Sequence, residues 1–250
     1  MMVVSLAFAD ILNGLLTPFN ILGWLNIGGN EVCLTETIIS LQATGASIIS
    51  IMLISIDRYL SVSKPLRYRI MISRTKVGIA IMITWLSSFL CVLLCTFLGG
   101  SWDETIVRCT WTTVLTPAVF YGVLLSLYSI CALVSFVLYL LILYIAWNRT
   151  RRISSPSFEL VIHKRQTKLS KMMAINMILF HILYLPATIL EPFAMSGNLV
   201  IFSFYYLSRV LWFSKAMINP IIYGWLNKDF RNAYKKLLRI KHSNKISVSN

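Results

Sequence analysis

Residues 46–59 read ASIISIMLISIDRY, an apolar run that ends in an acid, a base and a tyrosine. Asp57 and Arg58 sit at the edge of hydrocarbon, where charge is costly and usually functional. Extended backward, the run covers about 33–56. That is enough to cross about 30 Å of hydrocarbon, which takes roughly 20 residues. Five similar runs lie at about 2–25, 77–98, 118–147, 172–195 and 200–225, and the last ends in Asn219-Pro220-Ile221-Ile222-Tyr223. The chain has 250 residues, 57% apolar and 13% charged, and its mean hydropathy is +0.74. These values describe an all-α integral membrane protein rather than a soluble domain. Connectors are short, and no repeat or second domain is visible. The expected division is a bundle at 1–226, a surface helix at 227–240 and a tail at 241–250.

A net charge of +14 would suggest nucleic acid in a soluble protein; here it reports topology. Of 23 Lys and Arg, six lie from Arg58 to Lys76, seven from Arg149 to Lys171 and seven from Lys228 to Lys245. The positive-inside rule puts these three regions in the cytosol. The acids Glu31, Glu36, Asp103, Glu104 and Glu191 then face out, and six spans place both termini inside. The chain opens directly with Met1-Met2 and an apolar helix, with no signal peptide expected. The sequon Asn148-Arg149-Thr150 falls on the cytosolic side and is expected to stay unglycosylated.

Cys91, Cys95 and Cys131 lie inside apolar runs and read as small core residues. Cys33 and Cys109 lie outside, either bonded to each other or as two free thiols. His163, His181 and His242 are scattered and match no metal-ligand spacing. No nucleophile–base grouping or phosphate-binding glycine loop is present. No enzyme, metal or cofactor is implied.

In order along the chain stand Asp10 in Ser-Leu-Ala-Phe-Ala-Asp, Cys33, Asp57-Arg58-Tyr59, Pro65-Leu66, Trp85, Tyr139, Phe180 with Pro186, Asn219-Pro220-x-x-Tyr223, and Phe230 seven residues later. On these motifs the chain resembles the rhodopsin-like (class A) G-protein-coupled receptors. The first apolar run corresponds to that family's second helix. The expected fold is therefore a seven-transmembrane receptor bundle with six spans present, the first helix being absent through a truncated gene model or a fragment, plus a C-terminal amphipathic helix.

The resemblance implies a plasma-membrane receptor that carries an extracellular ligand signal to a heterotrimeric G protein. It implies a Cys33–Cys109 disulfide pinning the outer loop across the bundle mouth. Arg58, a permanent cation with a rigid donor fork, would be held at rest by Asp57. On activation it would swing toward Tyr139 and Tyr223. Pro220 removes a backbone donor and kinks its helix, and Asn219 can satisfy the freed carbonyl. Leu66, just past Pro65, would be the apolar knob entering the G protein. Asn227–Ile240 interleaves Phe230, Leu237 and Leu238 with basic residues and reads as a helix on anionic lipid.

Departures from the family are informative. Tyr184 stands where a tryptophan usually precedes the helix-six proline, and Cys131 where helix five usually has a proline. Gln166 replaces the acid that often clamps the third-helix arginine, which implies raised resting activity. Ser40 replaces the aspartate of amine receptors, which disfavours a monoamine. Phe213 stands where opsins carry the retinal lysine. The resemblance places Glu36, Ser40, Thr44, Tyr184, Glu191, Tyr205, Arg209 and Trp212 around the ligand pocket. Arg209 could receive a ligand carboxylate, pair internally with Glu36 or Glu191, or snorkel outward.

In the family, the aspartate matching Asp10 commonly holds sodium with a serine and polar residues of the last helix. Ser47 and Asn219 match, while Lys215 and Ala216 stand where an asparagine and a serine are usual. Lys215 is one turn before Asn219 and roughly 15 Å of helix from the cytosolic end. It is expected to replace sodium and neutralise Asp10; the alternative is a lysine turned toward the ligand pocket. Two other readings remain: a six-span transporter or channel, for which Asp10 and Lys215 speak but no repeat does, and a truncated, non-signalling receptor fragment.

Overall fold

From Gly29 to Ser63 the chain contains no proline, and it folds as one helix of 35 residues. The computed structural model describes residues 1–24, 29–100, 111–152, 175, 178–194, 198–226 and 228–237. We label the helices α1 (Met2–Trp24), α2 (Gly29–Ser63), α3 (Pro65–Met71), α4 (Arg74–Gly99), α5 (Trp111–Val114), α6 (Pro117–Val119), α7 (Ser126–Arg152), α8 (178–190), α9 (Leu199–Leu226) and α10 (Lys228–Leu237). A π-helical stretch, Phe120–Leu125, joins α6 to α7, and a 3-10 turn, Glu191–Phe193, ends α8.

Local chemistry sets the ends. Gly29 opens α2 with φ 67°, a left-handed conformation that glycine adopts freely. Pro65 disfavours helical backbone at Lys64, which lies at φ −130°, and then takes the first helical position of α3. Ser73 caps α4 by accepting a hydrogen bond from the Lys76 amide at 3.3 Å. Both α2 and α7 continue beyond the apolar runs that announced them, to Ser63 and Arg152. Hydropathy marks where hydrocarbon ends, not where a helix must stop.

Glu31–Ser63, Arg74–Gly99 and Pro117–Ile145 are long and apolar enough to cross a membrane. Shorter apolar helical stretches run Met2–Leu16, Ile178–Phe193 and Leu199–Trp212. These six apolar helical stretches fall on the six expected spans, in an all-α membrane bundle among the described residues.

α2 is its axis: 67% of its most apolar window is buried, against 17% for α4. On α4 the buried stripe is Thr84, Ser88, Val92, Cys95 and Gly99, spaced three or four residues apart. Its other side exposes Met82, Leu86, Leu90, Leu94 and Phe97. Small and polar residues inside with large apolar ones outside is the pattern of helices packing in lipid. Interhelical bonds reinforce it. Trp85 Nε1 donates to Ser5 Oγ at 3.0 Å, Gln42 Nε2 to the Trp85 carbonyl at 3.1 Å, and Tyr128 Oη to the Leu41 carbonyl at 3.3 Å. At Gly45 a Cβ would lie 2.5 Å from both Ser88 Oγ and Tyr128 Oη, so α2, α4 and α7 meet there with no room for a side chain.

α10 covers Lys228–Leu237, shorter than the expected 227–240, and residues 238–250 lie outside the described set. Lys235 and Lys236 occupy its last turn, where cations complement the helix dipole. The Tyr234 ring lies against Gly224, where a Cβ would come within 3.0 Å of it, so α10 is seated on the end of α9.

Candidate functional site

Three polar layers, the inner one partly exposed, lie along the bundle among the described residues. The middle one is built from helix-face pairs: Asp10 with Asn13 on α1, Thr44 with Ser47 on α2, and Lys215 with Asn219 on α9. Spacings of three and four residues put each pair on one face. Lys215 Nζ donates to Ser47 Oγ at 2.9 Å and lies 3.4 Å from Asp10 Oδ1. Ser47 Oγ donates to Asp10 Oδ1 at 3.2 Å, and Asn219 Nδ2 donates to Asp10 Oδ2. The carboxylate therefore meets a cation and two neutral donors, which is what a buried charge requires. Thr44 Oγ1 donates to Asn13 Oδ1 at 3.4 Å, and the Lys215 ammonium sits 4.8 Å from the centre of the Phe180 ring. A cavity of about 10 Å³, lined by Asp10, Asn13, Thr44, Ser47, Phe180, Trp212 and Lys215, remains between them.

The outer layer surrounds Arg209. Its Nη1 donates to Tyr205 Oη at 3.3 Å, and the guanidinium lies 4.6 Å over the Trp111 ring. Tyr205 is also hydrogen-bonded to Glu191, and both Glu191 and Glu36 act on Arg209 as counter-charges. Arg209, Glu191, Glu36 and Tyr205 are all buried. Arg209 is thus buried among internal partners rather than snorkelling outward. Nearby on α2, Thr37 Oγ1 and Ser40 Oγ are buried without a hydrogen-bond partner among the described residues. Below them Tyr184 stacks on Phe180 with centroids 5.4 Å apart and meets Trp212 at 4.5 Å.

The inner layer holds the Asp57-Arg58-Tyr59 triplet. Arg58 pairs with Asp57, its Nε donating to Oδ2 at 2.9 Å. Tyr68 on α3 reaches back and donates its hydroxyl to Asp57 Oδ1 at 2.7 Å. Burial first, and then this bond to a carboxylate, push the Tyr68 phenol up to about 12. Tyr139 is buried with Val62 and Ile142, and Tyr59 packs against them.

All eight residues expected around the ligand pocket are buried. They divide between layers: Glu36, Glu191, Tyr205 and Arg209 belong to the outer one, whereas Thr44 and Trp212 line the middle cavity. Asp10, Ser47, Lys215 and Asn219 converge. Cys33 is disulfide-bonded; its expected partner Cys109 lies outside the described residues, as does Gln166. The side chains of Pro65, Leu66, Pro220, Tyr223 and Phe230 are likewise outside the described set, although their backbones lie in α3, α9 and α10. Asn13, Tyr68 and Trp111 were not anticipated. Asn13 had a signal, three residues after Asp10 on one helix face. Tyr68 had none, because its reach depends on how Pro65 turns the chain.

Residues 1–223 match the family model described as 7 transmembrane receptor (rhodopsin family). The chain is 30% identical over 261 residues to the histamine H2 receptor of Canis lupus familiaris, covering 96% of this chain and 70% of that protein. It is 32% identical over 253 residues to the adenosine receptor A3 of Ovis aries, covering 95% and 78%. The histamine H2 receptor of Homo sapiens is 30% identical over 257 residues, covering 98% and 71%. These relatives are receptors and not enzymes.

Proposed function

Because the chain belongs to the rhodopsin family of seven-transmembrane receptors, we propose that it carries an extracellular ligand signal across the plasma membrane to a heterotrimeric G protein. The observation that carries this reading is α2 itself. One unbroken helix presents hydroxyls at Thr37 and Ser40 that find no partner among the described residues, the ion-pair layer at Ser47 and the Asp57–Arg58 pair at its inner end. Ser40 and Arg58 are about 27 Å apart along it. Displacement at one end has a rigid path to the other.

In this reading the ligand enters between Thr37, Ser40 and the Arg209 cluster. Buried unpaired hydroxyls are costly in apolar surroundings and call for a polar ligand group or water. Ser40 supplies no carboxylate where amine receptors of the family place an aspartate, which speaks against a monoamine held at that position. The related receptors named above are named for histamine and adenosine; a small polar ligand of that size class suits the site. On the inner side, release of Arg58 from Asp57 opens the cleft for the G protein, with Leu66 as the docking knob and membrane lipids supporting α10.

The test is heterotrimer dissociation in cells expressing the chain, scored against each class of G protein with and without a library of small polar compounds. A response suppressed by Ser40→Leu at equal surface level supports the reading. Surface expression with no response from any class of G protein contradicts it.

A further inference from the structure

The middle layer has a chemistry that signalling does not use up. A buried carboxylate in a membrane bundle needs a counter-charge, and a mobile cation could supply it. Here the counter-charge is covalently attached to α9. Lys215 Nζ lies within 3.4 Å of Asp10 Oδ1 and 2.9 Å of Ser47 Oγ. Ser47 in turn donates to the same carboxylate oxygen, and Asn219 fills the other. The cavity left over is about 10 Å³, room for about one water at most. A free cation entering would have to displace the ammonium, which is buried and lies 4.8 Å from the centre of the Phe180 ring.

We propose that Lys215 is a tethered cation that permanently occupies the counter-ion position of Asp10, so that the middle layer binds no free sodium and the bundle's stability is indifferent to sodium. The ammonium contacts groups from α1, α2 and α8 while belonging to α9. It therefore ties four helices together at a fixed stoichiometry, where an exchangeable ion would tie them only when bound. Removing it uncovers Asp10, Ser47 and Asn219 as a ready oxygen-rich site, of the kind that hard monovalent cations favour.

The experiment measures thermal unfolding midpoints of the chain in lipid nanodiscs, in sodium chloride and in choline chloride at equal ionic strength. The unmodified chain is expected to melt at the same temperature in both. Lys215→Ala is expected to melt lower in choline and to rise with sodium to a plateau. Asp10→Asn/Lys215→Ala is expected to lose that rise. A sodium-specific rise in the unmodified chain overturns the proposal, as does a folded Lys215→Ala variant with no sodium response. If Lys215→Ala does not fold, Lys215→Arg keeps the cation and decides with the unmodified chain: indifference to sodium in both supports the proposal, and a rise in either overturns it. No G protein enters this readout, so its failure is distinct from a failure of coupling.

Discussion

Lys215 and Asp10 form a buried ion pair, Nζ to Oδ1 3.4 Å, with side chains 8% and 5% exposed. Such pairs contribute little net stability when compared with well-packed neutral replacements, but deleting one partner strands the other charge at a cost of about 3–5 kcal/mol. The pair bridges α1 and α9.

That asymmetry is measurable. Asp10→Asn alone and Lys215→Met alone are each expected to lower the unfolding midpoint strongly, by about 3–5 kcal/mol of stability. Asp10→Asn/Lys215→Met is expected to recover much of the loss. A double-mutant cycle in nanodiscs reads the coupling directly. Additive losses would mean that the two side chains do not depend on one another.

Tyr68 lies outside the spanning segments and has a titration of its own. Its phenol is pushed from the ordinary 10.0 up to about 12, by burial first and then by its bond to Asp57. The raised value means that the fold favours the neutral hydroxyl. Its contribution is complete below pH 10 and is lost as pH climbs from about 10 toward about 12. The tyrosinate absorbance of the chain minus that of Tyr68→Phe is expected to develop near pH 12. Development near 10 would contradict the Asp57 bond.

Packing at the α2–α4–α7 crossing is tested by a glycine pair. A Cβ at Gly45 would lie 2.5 Å from Ser88 Oγ and Tyr128 Oη, whereas at Gly78 nothing lies within 4 Å. Gly45→Val is expected to destabilise by about 1–3 kcal/mol or more and to reduce the yield of monodisperse protein. Gly78→Ala is expected to leave that yield unchanged. Equal yields from the two would refute the close approach.

The six apolar runs and the two terminal motifs made the architecture legible, because membrane spans announce themselves by composition and length. Lys215 was legible for a different reason: a lysine one turn from Asn219, deep in an apolar run, has few acids to meet, and Asp10 was the nearest by resemblance. The outer cluster was less so. Thr44 and Trp212, read as pocket residues, line the middle cavity, since a residue's depth along a helix is plain in the sequence but its rotation against neighbours is not. Arg209 had three open fates, and the sequence could not show that Tyr205, Glu191, Glu36 and Trp111 gather around it. Tyr68 illustrates the limit most simply, because nothing in its neighbours' identities records that α3 folds back toward Asp57.

The most direct test of signalling is nucleotide exchange on purified heterotrimeric G protein by the chain reconstituted in nanodiscs, compared with Arg58→Ala and Leu66→Ala at equal folded amounts. The unmodified chain is expected to accelerate exchange above the receptor-free rate, and both variants to fall back toward that rate. No acceleration with any class of G protein, or exchange undiminished in both variants, would contradict the receptor mechanism.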